Sequence, residues 1–424
     1  MTSGPNTIEN RADSVLVIGG GVIGAACAYY LRQAGKAVTL IEKGNFGGGC
    51  SKGNCGFVCP SHVLPLAGPG AVRNTLRTLF TRNSPLKVRW RFDPALWSWF
   101  WQFARRSNER DMLSAGHAIQ ALLASSRSLY DDLLSTTLSD VEWEARGLLF
   151  VFRTPAAMEH YAATDRLLSY EFDLTATRYD GAALVELEPA LKPGCAGGWH
   201  YATDGHLRPD KLMSAWRGVL ESQGVEIREH CELRELRIDG RLVRKVVTSQ
   251  GAWPADQVVI CTGAWTPQLR RMLRCSPAIQ PGKGYSLTMP RPAVCPWLPM
   301  LFEEHRVAIT PFASAYRIGS TMEFTGYDAS LSPDRLRLLR DGAAVYLREP
   351  STEPVLEEWY GWRPMTPDGL PYIGAAPGVD NLFLAAGHGM LGVSMSPATG
   401  RLVAEMLCGR TPHIDPQPYA VDRR

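Results

Sequence analysis

Apolar residues follow two patterns along this chain. Val15-Leu16-Val17-Ile18 is a short unbroken apolar run, and Val38-Thr39-Leu40-Ile41 and Val258-Val259-Ile260 resemble it. Runs of this kind predict strands covered on both faces, as in a parallel sheet. Between the first two, Ala25, Ala28, Leu31 and Ala34 recur at helical spacing until Gly35 ends the pattern. Residues 14–43 therefore read strand, tight turn, helix, strand, the unit of an α/β fold. A second helical pattern runs through Leu402, Val403 and Leu407, with Ser396-Pro397 as its expected N-cap and first turn. A third opens at Asp93-Pro94-Ala95, sets Trp97, Phe100, Trp101 and Ala104 on one apolar face, and closes at Arg105 and Arg106. No stretch of 18 or more residues is both apolar and free of charge, so no membrane-spanning helix is expected. The residues up to Asp13 are polar and are read as carrying no secretory signal.

Composition narrows this only in part. The 424 residues suit two or three domains, and 45% hydrophobic with 21% charged residues is ordinary globular usage. A net charge of +3 argues against a general polyanion binder, so no nucleic-acid partner is expected. Ten cysteines without regular spacing argue against a disulfide scaffold. Charge is uneven, however. From Arg73 to Arg106, eight basic residues (Arg73, Arg77, Arg82, Lys87, Arg89, Arg91, Arg105, Arg106) face one acid, Asp93, and four of the twelve tryptophans fall there.

The turn after the first strand is Gly19-Gly20-Gly21-Val22-Ile23-Gly24. Gly19 permits the turn, Gly21 lets backbone approach a pyrophosphate, and Gly24 lets helix and strand pack closely. The helix start then offers unpaired N–H groups and a partial positive charge to phosphates. Glu42, at the end of the second strand, can accept both hydroxyls of an adenosine ribose and disfavours a 2′-phosphate there. A dinucleotide site follows. The small-residue stretch Gly47 to Gly56, with Ser51 and Asn54, suits backbone lying against a flat extended ligand and favours FAD over a nicotinamide cofactor. The strand ending Cys261-Thr262-Gly263 and the loop Gly387-His388-Gly389-Met390-Leu391-Gly392 complete the pattern, the latter leading to a helix whose positive end suits a flavin's pyrimidine side.

These motifs, with Lys283-Gly284-Tyr285-Ser286, Arg317-Ile318-Gly319 and Gly361-Trp362-Arg363-Pro364 through Pro371, occur in order from residue 14 to about 412. In this the chain resembles the FAD-dependent D-amino-acid oxidase and dehydrogenase superfamily, and among its members bacterial D-amino-acid dehydrogenases, including D-hydroxyproline dehydrogenase-like ones. The resemblance implies a D-amino-acid oxidase-like α/β fold. A discontinuous Rossmann-type FAD domain (1–80, 196–275, 355–424) would carry an inserted mixed-sheet α+β substrate domain (81–195, 276–354). It implies FAD held without a covalent bond, no cysteine lying near the Arg363 motif in sequence. The cofactor residues would be Gly19, Gly21, Val22, Ile23, Gly24, Glu42, Lys43, Ser51, Gly53, Asn54, Gly263, His388, Gly389, Leu391 and Gly392. It also implies oxidative deamination of free D-amino acids, or of cyclic ones such as D-proline and D-hydroxyproline.

Such chemistry asks little of side chains. The substrate's Cα–H must be held over the cofactor, and an arginine fork fixes a carboxylate best. In glycine oxidase the arginine of the Gly-x-Arg-Pro motif does this, which makes Arg363 the expected anchor here; the alternative is an ion pair with Asp368. Glycine oxidase carries a second arginine where this chain has Met390, which favours a larger or less polar substrate. Tyr285 either contacts the carboxylate or sits in the core of a half-buried sheet. His62, just after the flavin-wrapping loop, is a candidate for the substrate side, and Arg317 has no assignable face. Cys50, Cys55 and Cys59 match no metal-ligand spacing and read as small residues in tight backbone, and adjacent Glu303-Glu304-His305 cannot converge on one ion in a strand, so no metal is expected.

The basic, tryptophan-rich segment suits an anionic bilayer surface or a partner subunit, or else a helix packed on the core. The resemblance implies a quinone or protein electron acceptor and a cytoplasmic enzyme with peripheral contact on the inner membrane through Arg73–Arg106. Two alternatives stand beside this: an oxygen-using oxidase of secondary or N-methylated amino acids, like glycine or sarcosine oxidase, and a flavin-binding subunit of a larger dehydrogenase complex.

Overall fold

A computed structural model describes residues 13–73, 86–89 and 92–423. Arg77, Arg82, Trp90 and Arg91 of the basic segment lie outside the described residues.

The three apolar runs form the centre of one sheet. Its six strands run in the order Tyr372–Ala375, Leu382–Ala386, Gln257–Ile260, Ser14–Ile18, Ala37–Ile41, Glu226–Arg228, all neighbours parallel except the first pair. Val15, Val17, Leu40 and Val259 are buried as their pattern requires. The helix Val22–Gln33 covers this sheet and meets the C-terminal helix Gly392–Leu407 backbone to backbone. A Cβ on Gly400 would lie 2.6 Å from the Ala26 carbonyl, so only glycine permits that contact.

The C-terminal helix begins at Gly392, five residues before the expected first residue Pro397, and carries Pro397 inside it. Proline there removes the N–H owed to the Val393 carbonyl. The long helix Glu109–Thr136 makes good the loss: Tyr130 donates its hydroxyl to Val393 O at 2.8 Å, and Ser126 Oγ accepts the Ala398 N–H at 3.1 Å.

A second, nine-stranded sheet has the path Glu357–Met365, Gln280–Met289, Tyr316–Phe324, Val307–Pro311, Met300–Phe302, Leu148–Phe152, Gly197–Tyr201, Thr177–Asp180, with Leu86–Val88 paired to Tyr316–Phe324. Gly197–Tyr201 and Glu357–Met365 fall inside segments expected in the FAD domain, so sheet membership changes after Tyr201 and Met365 rather than at 196 and 355.

The helix expected at Asp93-Pro94 spans Pro94–Arg106, and Asp93 Oδ1 accepts the N–H groups of Ala95 and Leu96. Its buried face is not the expected one. Leu96 and Trp99 are buried against Phe324 and Met365, with Phe100 and Phe103 beside them, and Trp99 donates its indole N–H to Met365 O at 2.9 Å. Trp97 and Trp101 point outward at 42% and 59% exposure.

Candidate flavin and substrate site

The glycine turn is built by two close approaches. Gly19 has φ +112°, and a Cβ there would sit 2.5 Å from the Cys261 carbonyl oxygen; a Cβ on Gly24 would overlap the Gly19 oxygen. Gly21 begins the helix with no side-chain cap, and Val22 N donates to Ser51 Oγ at 3.0 Å. The Glu42 carboxylate accepts Gly20 N at 2.7 Å and Gly44 N at 2.8 Å, one bond to each oxygen. It thereby braces the turn and keeps lone pairs for two hydroxyls. Lys43 places its ammonium 3.2 Å from the centroid of Trp265, the second residue after Gly263, and burial lowers its pKa.

The loop Cys50–Gly56 is held from the second sheet. Arg317 donates to the carbonyls of Lys52 (3.0 Å) and Asn54 (2.7 Å), Ser286 to Gly53 O (3.1 Å), and Thr310 to Cys55 O (2.7 Å). Asn54 Oδ1 accepts Gly56 N at 2.7 Å. Arg317 thus faces the loop as its clamp.

Arg363 projects from the strand Glu357–Met365 across Gly284, where a Cβ would overlap its guanidinium. It donates to Thr321 O at 2.7 Å and reaches Ser320 O at 3.5 Å. Those carbonyls are aimed by an irregular strand pairing in which Ser320 (φ +113°) and Thr321 (φ +50°) take backbone conformations rare for side-chain-bearing residues. Among the described residues no carboxylate pairs with Arg363. The Asp368 alternative is excluded by Arg423, which takes both oxygens of Asp368 at 2.9 and 3.1 Å. Burial lowers the Arg363 pKa, while the nearby Cys50 and Cys55 act in the opposite sense. Burial raises both thiols, Cys50 to about 11, so neither is an anion at neutral pH. Two cysteines that are remote from Arg363 in sequence are therefore its neighbours in space.

Tyr285 lies in the core of the second sheet. Its hydroxyl donates to Glu323 at 2.7 Å, and Glu323 also accepts from Arg335 at 2.6 Å. Of its two expected placements, the structure shows the core one.

The C-terminal helix start lies between the two halves of the site. On one side Gly389 N donates to Pro364 O at 3.0 Å, joining the Gly-His loop to the Arg363 motif. On the other, Ser394 Oγ accepts Cys59 N (3.3 Å) and donates to Phe57 O (2.8 Å), seating the segment that leads to His62. Leu391 and Gly392 form the helix start itself. His388 is buried, its Nε2 is 3.0 Å from Thr399 Oγ1, and burial pushes its pKa down to about 3. Met390 is 39% exposed in the same loop. His62 is half-buried, its ring 5.5 Å from that of Phe150, and burial pushes its pKa down to about 4. Both imidazoles are neutral at pH 7.

Sequence reasoning missed Trp359. It shares a strand face with Gly361 and Arg363, and its indole fills the space where Gly53 and Gly361 have no Cβ. Period-two alternation in Trp359-Tyr360-Gly361-Trp362-Arg363 was the available signal.

These elements define a flavoenzyme: a dinucleotide turn at a helix start, an acid for a ribose, and a cationic site beyond a small-residue loop. The residues fit FAD. The chain belongs to the FAD-dependent oxidoreductase family whose model, DAO, matches residues 14–406. It is 33% identical over 417 residues to a D-amino acid dehydrogenase of Paramagnetospirillum magneticum, covering 96% of this chain and 98% of that one. It is 34% identical over 420 residues to one of Chromohalobacter salexigens, with 96% and 99% covered. In fold it is similar to glycine oxidase from Geobacillus kaustophilus, with a TM-score of 0.78, 24% identity, and 97% and 100% of the two chains covered. It is an enzyme, an oxidoreductase that uses FAD.

Proposed function

We propose that this protein dehydrogenates free D-amino acids, cyclic ones such as D-proline and D-hydroxyproline included, and passes the electrons to a quinone or protein. Bound FAD would supply a hydride acceptor for the substrate α-carbon. Arg363 anchors the carboxylate. The observation that carries this reading is a deep guanidinium held by two backbone carbonyls, flanked by neutral thiols and lacking a carboxylate partner among the described residues. Such a cation is costly to bury unless an anion joins it. Its donors on one side are fixed by protein, so the bound acid has one preferred orientation, and the α-hydrogen is presented rather than sampled. Met390, in the loop joined to the Arg363 motif, adds no second cation there, which leaves room for a side chain or a ring. The glycine turn, Glu42, Lys43, Ser51, Gly53 and Asn54 hold FAD without a covalent bond. A primary amine yields an imino acid that water converts to the keto acid and ammonia.

The relatives named D-amino acid dehydrogenase support the handedness and the non-oxygen acceptor. The route to that acceptor is the outward face of the helix Pro94–Arg106, where Trp97 and Trp101 are exposed, Arg105 lies 4.7 Å over the Trp101 ring, and Phe92 is 98% exposed just before. Tryptophans beside arginines suit an anionic bilayer surface. No helix among the described residues is long and apolar enough to cross a membrane.

The test is a panel of D- and L-amino acids with an artificial dye acceptor. Dye reduction by D-forms, with little peroxide formed in air, is expected. Stoichiometric peroxide from N-methylated glycine would favour the oxidase alternative, and reduction by L-forms alone would contradict the proposal.

A further inference from the structure

Asp204 is completely buried and belongs to no part of the site described so far. Its Oδ1 accepts the Ser61 N–H at 3.0 Å and its Oδ2 the Ser61 hydroxyl at 2.5 Å. Ser61 Oγ is in turn 3.2 Å from His62 Nδ1. Among the described residues no cation forms an ion pair with Asp204; Arg127, whose charge acts on it from beyond contact, is paired with Asp131. Burial outweighs the two hydrogen bonds and pushes the Asp204 pKa up to about 7. His62 Nε2 bonds no described residue, and the ring lies on the segment seated against the C-terminal helix start.

Hydrogen-bond bookkeeping fixes what this chain of groups can do. When Asp204 is ionised, the Ser61 hydroxyl must donate to it, so Ser61 Oγ accepts from His62 Nδ1–H. His62 is then the tautomer whose Nε2 carries a free lone pair. When Asp204 is protonated, the chain reverses and Nε2 carries the hydrogen.

We infer that Asp204, Ser61 and His62 form a proton relay that takes the ammonium proton of the bound substrate and stores it on Asp204. The inference rests on the amino-acid dehydrogenase reading. The substrate N–H bond breaks as its proton joins His62 Nε2, the Nδ1 proton passes to Ser61 Oγ, and the Ser61 proton passes to Asp204 Oδ2. The net change is ammonium plus carboxylate to amine plus carboxylic acid, with His62 neutral at both ends and only its tautomer exchanged. That suits an imidazole whose burial resists charging. The amine lone pair would then be free to support loss of the α-hydrogen as hydride, whose two electrons bound FAD would accept, and the organic product would be the iminium. Asp204 returns its proton to solvent by the reverse path. Asp204 is a positioning residue and proton store; His62 alone would touch the substrate.

The other titratable groups around the relay are Arg127 on the helix Glu109–Thr136, Tyr201 with Tyr161 and Asp165 behind it, and Cys59 in the same segment as Ser61. Burial raises Cys59, Tyr161 and Tyr201, so these stay neutral near pH 7.

The test uses the holoenzyme. Anaerobic flavin bleaching by D-proline, followed from pH 5.5 to 9, should rise through a limb near pH 7, since protonated Asp204 cannot receive a proton. Asp204→Asn should slow bleaching at pH 7 about 100-fold and move the limb upward, with half-saturation unchanged. Ser61→Ala, which removes one hydroxyl and keeps Asp204, should do the same, and Ser61→Thr should restore the profile. Independently of turnover, infrared difference spectra should show a protonated carboxyl band that titrates near pH 7 and is absent in Asp204→Asn. A wild-type profile retained by Ser61→Ala, or no such band, would overturn the relay while leaving the dehydrogenase reading intact. Failure of that reading is distinct: no D-amino acid would then bleach the wild type at any pH.

Discussion

Two deep arginines on strands of the same sheet have opposite surroundings. Arg317 is 1% exposed, and its donors reach Thr288 Oγ1 (2.9 Å) and two loop carbonyls, with Glu357 at 3.7 Å to balance its charge. Arg363 has carbonyls on one side only, no acid among the described residues, and two neutral thiols nearby. The first guanidinium is a finished structural joint between loop and sheet. The second is unfinished, and an incoming carboxylate completes it. Residue type does not separate the two; the inventory of partners does.

That contrast breaks most readily at Arg363. Arg363→Ala should raise the half-saturation for a D-amino acid by about 1,000-fold, the scale of a lost charge-assisted pair of hydrogen bonds, while flavin content and melting temperature hold. A parallel loss of flavin would make it a structural residue like Arg317. Arg317→Met should do the reverse. It leaves two loop carbonyls without their donor and takes away one of the two cations beside Glu357, and should cost about 3 kcal/mol of stability in denaturant titration, with weaker flavin retention as Cys50–Gly56 is released. Glu357→Gln sharpens the comparison at smaller scale, because it removes charge balance from Arg317 and from Lys52, 2.5 Å away. About 1 kcal/mol is expected, with no change in substrate half-saturation. Replacing Trp97 and Trp101 by Ser should alter stability by no more than about 0.5 kcal/mol, yet reduce sedimentation with anionic liposomes; unaltered sedimentation would remove the membrane contact from the account.

What the sequence disclosed follows from the range of each interaction. The glycine turn and Glu42 are local: one strand, one turn and one helix bring them together, so spacing alone implied their convergence. The face of the helix Pro94–Arg106 was misassigned because Leu96, Trp99 and Phe103 form an apolar stripe as good as Trp97, Phe100 and Trp101. Only the partner, Phe324 with Met365, decides between them. The early start of the C-terminal helix depends on Tyr130, 263 residues from Val393, supplying what Pro397 lacks. Asp204 lies 143 residues from Ser61, and nothing in its neighbours Thr203 and Gly205 signals a proton store. The positive φ values of Ser320 and Thr321 arise where the sheet pairing slips, and neither residue type announces them.

The central claim is that a substrate carboxylate meets Arg363 directly. Anaerobic flavin bleaching by D-proline and by D-prolinamide, compared in the wild type and in Arg363→Ala, tests it. In the wild type the amide should need at least about 100-fold more ligand for half-saturation, and in the variant the two curves should nearly coincide. Equal half-saturation for acid and amide in the wild type would contradict it.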